Sequence, residues 1–165
     1  MEPGSGQSIT EEERLEQVRE VLLISEEKLL SFCDNAKGRR FRSAASDIFF
    51  ASERLCDALL RSIGVEARSH EAIVRLTSKH FAKPGLIHPR IIRYLGNLRD
   101  RRNTADYSVS AGWEFKEDEA KAYLSWFDAI LEAVSPLMAK NTSEISGDLE
   151  RLKKETETTK RLMEK

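Results

Sequence analysis

Two charged side chains, Arg102 and Asp106, fall on a helix face that is otherwise apolar, which makes them the first candidates for chemistry. Apolar residues between Ile91 and Leu98 step by four and three, the spacing of a buried helix face. Continuing that spacing places Arg102 and Asp106 where aliphatic side chains are expected. Because burying a lone charge is costly, each should be paired or hydrogen-bonded. Such polar pairs are often functional. If the chain is catalytic, Arg102, Asp106 and Tyr107 are the natural centre.

An ordinary ion pair that closes the end of a helix is the alternative interpretation of Arg102 and Asp106. No other pattern indicates a catalytic or metal site. The histidines are ten and eight residues apart, which is not the spacing of metal ligands. The glycines are scattered and form no phosphate-binding loop, and no serine stands in a G-x-S-x-G turn. We therefore expect no metal and no cofactor. Each of the three histidines should be a surface or capping residue. His80 and His88 flank the turn before the helix of Arg102, so they are the only histidines placed to approach that helix.

The composition is that of a mostly helical protein with one core: 40% of residues are hydrophobic and 33% are charged. A formal net charge of −1 gives no overall positive field, so any nucleic-acid surface must be local. With no long apolar run and no leader pattern, we expect a cytoplasmic protein that does not enter a membrane.

Cys33 and Cys56 are expected to be reduced core residues. A solvated turn is slightly favoured over an RNA or phosphate contact for the densest basic cluster, which comprises Lys37, Arg39, Arg40 and Arg42.

Helix start and stop signals predict an all-α fold, an up-down bundle of four or five helices with a C-terminal helical extension. The residues that mark helix ends are Thr10 with Glu13, Gly38, Gly64, Ser69 and Pro89. The apolar stripe over residues 41–63 is wide enough for a central helix. The predicted division is a flexible N-terminus over residues 1–9, the bundle over 10–139 and the extension over 140–165.

The C-terminal extension carries a short heptad seam formed by Ile145, Leu149, Leu152, Thr156, Thr159 and Met163. Three arrangements are open: the seam packs on the bundle, pairs with a copy or a partner, or frays. Core filling is favoured over base stacking for the aromatic residues Trp113, Phe115, Trp126 and Phe127.

Five stretches resemble the HEPN superfamily in order and spacing, and they are most similar to its short stand-alone prokaryotic members. These are residues 41–51, 64–70, 79–87, 102–107 and 115–120, within a region from about 12 to 135. Phe49 and Phe50 stand where the family has two tyrosines in an Ala-x-x-x-Tyr-Tyr-Ala run. The resemblance implies a four-helix bundle with an additional short helix, which usually dimerises so that the two motif helices face each other.

The resemblance also implies a function, because many HEPN proteins are metal-independent ribonucleases. Some are toxins whose antitoxin is a small nucleotidyltransferase. Their motif is an arginine that stabilises charge on the scissile phosphate, followed after four to six residues by a histidine that handles the ribose 2′-hydroxyl proton. Arg102 and Asn103 match its start, but Asp106 and Tyr107 stand where the histidine is expected. Aspartate, with an unperturbed pKa of about 3.9, is a weaker general acid at neutral pH, so Asp106 is expected to orient Arg102.

The sequence therefore leaves three functions open. The favoured one is a homodimeric module that binds a nucleotide, RNA or a nucleotidyltransferase partner in a cleft containing Arg99, Arg101, Arg102 and Asn103. The second is a metal-independent endoribonuclease, the toxin of a toxin–antitoxin pair, which would use Arg102, Asp106 and Tyr107. The third is a structural partner that docks through the C-terminal heptad. The absent histidine favours the first function over the second.

Overall fold

The computed structural model describes residues 8–107 and 117–165, and this part of the chain is all-α, as the sequence predicts. It contains six α-helices and no strand: α1 (Glu11–Lys37), α2 (Phe41–Ser62), α3 (His70–Thr77), α4 (Pro89–Tyr107), α5 (Glu117–Asn141) and α6 (Ser146–Met163). A π-helical turn, Ser78–Ala82, continues α3, and a short 3₁₀ turn, Ser143–Ile145, precedes α6. No helix within these ranges is both long and apolar enough to span a membrane.

Helix α1 begins and ends where the sequence signals indicate. The hydroxyl of Thr10 accepts the backbone N–H of Glu13 at 3.1 Å, and the Glu13 carboxylate accepts that of Thr10 at 2.7 Å. This capping box satisfies two of the donors that a helix start leaves unpaired. Gly38 caps the other end with an ordinary φ of −78°, whereas Arg39 takes the left-handed conformation with a φ of 58°. Since a side chain is disfavoured there, the α1–α2 turn holds Arg39 in a conformation better suited to glycine.

Helix α2 is the central element, and it packs against α1, α3, α4 and α5. Its small residues allow α1 to approach closely: Ala51 and Ser52 are fully buried, and the hydroxyl of Ser25 in α1 donates to the Ala51 carbonyl at 2.8 Å. The core on its other sides is made by large side chains that are fully buried, including Ile48, Phe49, Leu55, Leu59 and Leu60. The wide apolar stripe of residues 41–63 is thus explained by neighbours on several sides.

The connection between α2 and α4 sets the position of the short helix α3. Gly64 follows α2 with a φ of 79°, a left-handed conformation that glycine adopts without strain. The hydroxyl of Ser69 accepts the backbone N–H of Ala72 at 3.1 Å and so caps α3. Pro89 is the first residue of α4, as predicted. Together these turns bring the first residues of α3 beside both α2 and α4.

Helix α6 packs on α1 and α5, which decides among the three arrangements left open by its heptad seam. All six seam residues are buried: Ile145, Leu149, Leu152, Thr156, Thr159 and Met163. Ion pairs hold its exposed edges, with Arg151 bonded to Glu26 of α1 at 3.0 Å and Lys160 bonded to Asp128 of α5. Burial lowers the pKa of Lys160, but hydrogen bonds to Asp128 and Glu157 outweigh this effect and raise it. The apolar face of α6 therefore belongs to the core of this chain.

The remaining predictions about core residues are also confirmed where the structure describes them. Cys33 and Cys56 are free thiols and both are buried. Phe127 is fully buried, and Trp126 stacks on Tyr94 with ring centres 6.1 Å apart. Trp113 and Phe115 lie outside the described residues.

Candidate functional site

Arg102 lies on α4 with its guanidinium over two aromatic rings of α2. Its Cζ atom is 5.0 Å from the ring centre of Phe50 and 5.8 Å from that of Phe49. The helix positions Arg102 there because Leu98 and Ala105, on the same face, are buried against the bundle. An aromatic face attracts a cation, more strongly where water is partly excluded. Arg102 as a residue is half-buried, so the protein partly shields its positive charge from water.

The last described turn of α4 is held by a second arginine from the start of α2. Arg42 Nη1 donates to the carbonyl oxygen of Ala105 at 3.2 Å. A cation at a helix C-terminus is favourable because the exposed carbonyls there carry partial negative charge. Arg42 also lines a shallow depression of about 380 Å³ together with Arg39, Arg40, Phe41 and Ser43. Arg42 of the basic cluster thus contacts α4, the helix of Arg102, a contact that the interpretation as a solvated turn did not include.

The histidine closest to this site is His70. The prediction that only His80 and His88 can approach α4 is confirmed for His88, which bonds to the start of that helix, but it did not include His70. The His70 ring centre lies 6.0 Å from both Phe49 and Phe50, the two rings that carry Arg102. His80 instead lies against Phe81, and His88 Nδ1 accepts the Arg90 N–H at 3.1 Å at the start of α4. The reason is the tertiary packing of the two segments. The first turn of α3 packs against α2, whereas the turn before α4 lies at the end of α4 opposite to Arg102.

His70 belongs to a charge network around two buried carboxylates, which the sequence did not predict. Its Nδ1 atom lies 2.5 Å from Glu53 Oε2, and Glu53 Oε1 accepts from Arg54 at 2.7 Å. Arg54 also bonds to Asp57 at 3.1 Å, and Asp57 accepts from Arg61 at 3.2 Å. Glu53 and Asp57 are each only 1% exposed. These partners stabilise the two carboxylates, because a buried carboxylate without hydrogen bonds is strongly unfavourable.

A signal for this network is present in the sequence. Glu53 and Asp57 are four residues apart within the broad apolar stripe of α2, just as Arg102 interrupts the stripe of α4. Acidic residues at buried helix positions require cationic partners. The sequence could have flagged the two carboxylates, but it could not have named His70 as one of the partners, since that contact depends on how α3 folds back.

The other predicted binding residues lie on α4 close to Arg102 in sequence. Arg99 forms an ion pair with Glu71 of α3, the residue after His70. A hydrogen bond at its own backbone N–H, followed by the contact with Arg99, lowers the pKa of Glu71. Arg101 is exposed and Asn103 is half-buried. The backbone of α4 extends through Asp106 and Tyr107, but the side chains of both lie outside the described residues, so their catalytic role stays a prediction.

The arrangement combines a cation on an aromatic pair with an imidazole on the same pair. Such a site can hold an anion such as a phosphate, because arginine presents several N–H donors and a fixed positive charge. Imidazole changes its charge near neutral pH and can transfer protons. Among residues 8–107 and 117–165, no cluster of three or more histidine, cysteine or carboxylate side chains is arranged to hold a metal ion.

Comparisons with known proteins give two distant relatives. The chain is 26% identical over 106 residues to a protein of Methanocaldococcus jannaschii named "Putative toxin MJ0142", an alignment covering 64% of this chain and 71% of that protein. It is 29% identical over 95 residues to "UPF0332 protein PH1297" of Pyrococcus horikoshii, covering 58% of this chain and 67% of that protein. No family model matches the chain. No solved structure matches it either. The chain is therefore similar, at low identity, to a protein named as a toxin and to a UPF0332 protein.

Proposed function

We propose that this chain is a HEPN-type module that binds the phosphate groups of RNA, or of a nucleotide, at Arg102 and Asn103. The observation that carries the proposal is the position of the guanidinium of Arg102, a half-buried residue, over the rings of Phe49 and Phe50. A guanidinium that aromatic rings already restrain loses less conformational entropy on binding a phosphate than a freely moving guanidinium does. Arg101 lies exposed next to it.

The proposed functional unit is a homodimer in which the two α4 helices face each other across the cleft. Light scattering on the purified chain without RNA tests this part of the proposal, and a mass of about 18.8 kDa, that of one chain, would contradict it. A nucleotidyltransferase is the proposed protein partner. Its test is co-purification with such a protein and loss of that association in a folded Arg102→Ala variant.

RNA binding itself is tested with a matched pair of variants on α4. Arg102→Ala removes the proposed phosphate contact. Arg93→Ala removes the same charge from an exposed position nine residues earlier, which at about 100° per residue is the opposite face of the helix. With a labelled single-stranded RNA, we expect Arg102→Ala to weaken binding at least about tenfold, equivalent to about 1.4 kcal/mol. Arg93→Ala should change it less than about twofold. Equal losses in the two variants would overturn the proposed site.

A second function, that of a metal-independent endoribonuclease acting as a toxin, is favoured by the similarity to a protein named as a putative toxin. The test is induced expression in a bacterial host, with growth as the readout. The wild-type chain is expected to arrest growth, whereas Arg102→Ala is expected to permit it at the same protein level. Normal growth with abundant wild-type protein would remove this second function and leave the binding module.

A further inference from the structure

We propose that the α1–α2 turn binds a protein partner that presents an acidic segment with one large apolar side chain. This docking site goes beyond the proposed phosphate-binding function and does not depend on it. It consists of two neighbouring hollows, both of which are lined by Arg39 and Phe41. The basic hollow, of about 380 Å³, is also lined by Arg40, Arg42 and Ser43. The apolar hollow, of about 300 Å³, is lined largely by apolar residues of α1, α2 and α6.

The first argument is the uncompensated positive charge of the turn. Lys37, Arg39 and Arg40 are exposed, and in the described part of the chain none of them forms an ion pair with a carboxylate. Arg40 donates to the side-chain oxygen of Asn35 at 2.8 Å, and the Arg39 guanidinium lies 5.5 Å from the ring centre of Phe41. These contacts restrain two guanidinium groups without cancelling their charge, so the turn favours an anionic ligand.

The backbone of the turn places one cation between the two hollows. Arg39 has a φ of 58°, and hydrogen bonds hold the backbone on both sides of it. The Gly38 N–H donates to the Asp34 carbonyl at 2.9 Å, and the Arg40 N–H donates to the Asn35 carbonyl at 2.7 Å. Because Arg39 lines both hollows, a carboxylate bonded to it lies next to the apolar hollow as well.

The apolar hollow favours a peptide over other anionic ligands. Its apolar wall is formed by Ala36, Phe41, Leu162 and Met163, and Leu162 is 37% exposed. A large apolar side chain gains free energy by covering such a wall, whereas a phosphate group does not. Glu117, also at this hollow, repels a carboxylate there. The acidic groups of the partner are therefore directed to the basic hollow and its apolar side chain to the other.

Selection from a phage-displayed library of random peptides tests the class of partner, with the full chain as bait. We expect the selected peptides to be enriched in aspartate and glutamate beside one large apolar residue. Labelled synthetic copies should bind more weakly as the salt concentration rises, because salt screens exposed charges. Fluorescence anisotropy measures the affinity. No enrichment, or enriched peptides without acidic residues, would overturn the proposal.

Two double variants test the basic hollow with the selected peptide as the probe. Arg39→Asn with Arg40→Gln removes two cations, and asparagine accepts the left-handed backbone of position 39. Arg90→Gln with Arg93→Gln removes the same charge from exposed positions of α4. We expect the first pair to weaken binding at least about fivefold and the second less than about twofold. Equal losses would overturn the proposal. If the first pair lowers the melting temperature, Arg40→Gln alone makes the same comparison.

Leu162→Ser tests the apolar hollow against two peptides, the selected one and a copy whose large apolar residue is replaced by serine. We expect the substitution to weaken binding of the selected peptide about threefold or more and to leave the affinity of the serine copy unchanged. Equal effects on the two peptides would show that the apolar side chain does not enter this hollow and would overturn its assignment.

Single-stranded RNA and vesicles containing phosphatidylglycerol are the competing anionic ligands. Each is measured with wild-type protein and with Arg39→Asn, Arg40→Gln. We expect any RNA binding to survive this pair of substitutions, since the proposed phosphate contact lies at Arg102. RNA or vesicle binding that is tighter than peptide binding and is lost in the pair would overturn the assignment to a protein partner.

Discussion

The Nδ1 atom of His70 lies 2.5 Å from the Oε2 atom of Glu53, joining the first residue of α3 to a buried carboxylate of α2. Arg54 donates a hydrogen bond to the other oxygen of that carboxylate. The position of His70 beside Phe50 is thus determined by the charge network of α2 as well as by the turn that precedes α3.

Glu53→Gln is expected to destabilise the fold by about 1.5–3 kcal/mol, because it removes a charged acceptor that two partners share inside the protein. Urea denaturation measures the change in the free energy of unfolding. Glu150→Gln is the control, since Glu150 is exposed and pairs with Lys153 at 3.5 Å. Its effect should stay below about 0.5 kcal/mol. Equal effects of the two substitutions would show that the Glu53 network adds no stability.

Arg102 and Phe50 should be energetically coupled because the guanidinium lies over the ring. A double-mutant cycle with Arg102→Ala and Phe50→Leu is expected to give a coupling free energy of about 0.5–2 kcal/mol. The free energy of unfolding of the four proteins supplies the measurement. Pairing Arg93→Ala with Phe50→Leu gives the control cycle, which should be additive. If the effects of Arg102→Ala and Phe50→Leu on the free energy of unfolding are also additive, the contact between the guanidinium and the Phe50 ring is contradicted.

Leu152→Ala should destabilise the chain by about 2–5 kcal/mol, since Leu152 is only 1% exposed in the interface of α6 with the bundle. Leu162→Ala, at a position 37% exposed on the same helix, should cost less than about 1 kcal/mol. Thermal unfolding followed by circular dichroism compares the two. A small effect of Leu152→Ala would indicate that the seam is free to dock a partner, as the third hypothesis from the sequence requires.

The two thiols should react slowly in the folded protein. Burial raises the pKa of Cys56 to about 12, with the nearby charge of Glu53 adding to the effect, and burial also raises the pKa of Cys33. Because thiolate is the reactive form, a thiol reagent at pH 8 should label both cysteines rapidly in urea and neither rapidly in buffer. Rapid labelling of native Cys56→Ala at Cys33 would show that the α1–α6 interface opens.

The raised pKa of Cys56 also makes stability depend on pH. The folded state holds the thiol proton more tightly than the unfolded chain, so this stabilisation is fully present below about pH 9 and is lost as the pH rises toward 12. The difference in free energy of unfolding between wild type and Cys56→Ala should therefore shrink over that range. If the difference in free energy of unfolding between the two proteins does not change with pH, the raised pKa of Cys56 is contradicted.

Local signals in the sequence predicted much of the fold. Thr10, Ser69 and Pro89 mark helix starts because capping chemistry acts within a few residues, and the helical period identified Leu98 and Arg102 as neighbours on one face. The same period identified the apolar seam of α6 but did not decide what it packs against, because part of that surface comes from α1, more than a hundred residues earlier in the chain.

The candidate site was only half predictable for the same reason. Arg102 could be chosen because it interrupts an apolar stripe, a property of one helix. The contact of His70 with Glu53 joins two helices through a turn, and no periodicity reports how that turn directs α3. The aromatic pair lies between these cases: Phe49 and Phe50 stood out as departures from the tyrosines of a similar family, and the structure places both beside Arg102 and His70.

The salt dependence of RNA binding tests the central claim most directly. For a single strand, the slope of log K against log salt concentration changes by about 0.7 for each phosphate contact made by a cation. We predict that Arg102→Ala, folded and compared at several salt concentrations, lowers the magnitude of the slope by about 0.7, whereas Arg93→Ala leaves it unchanged. An Arg102→Ala variant with the wild-type slope and affinity would contradict the assignment of Arg102 as the phosphate-binding residue.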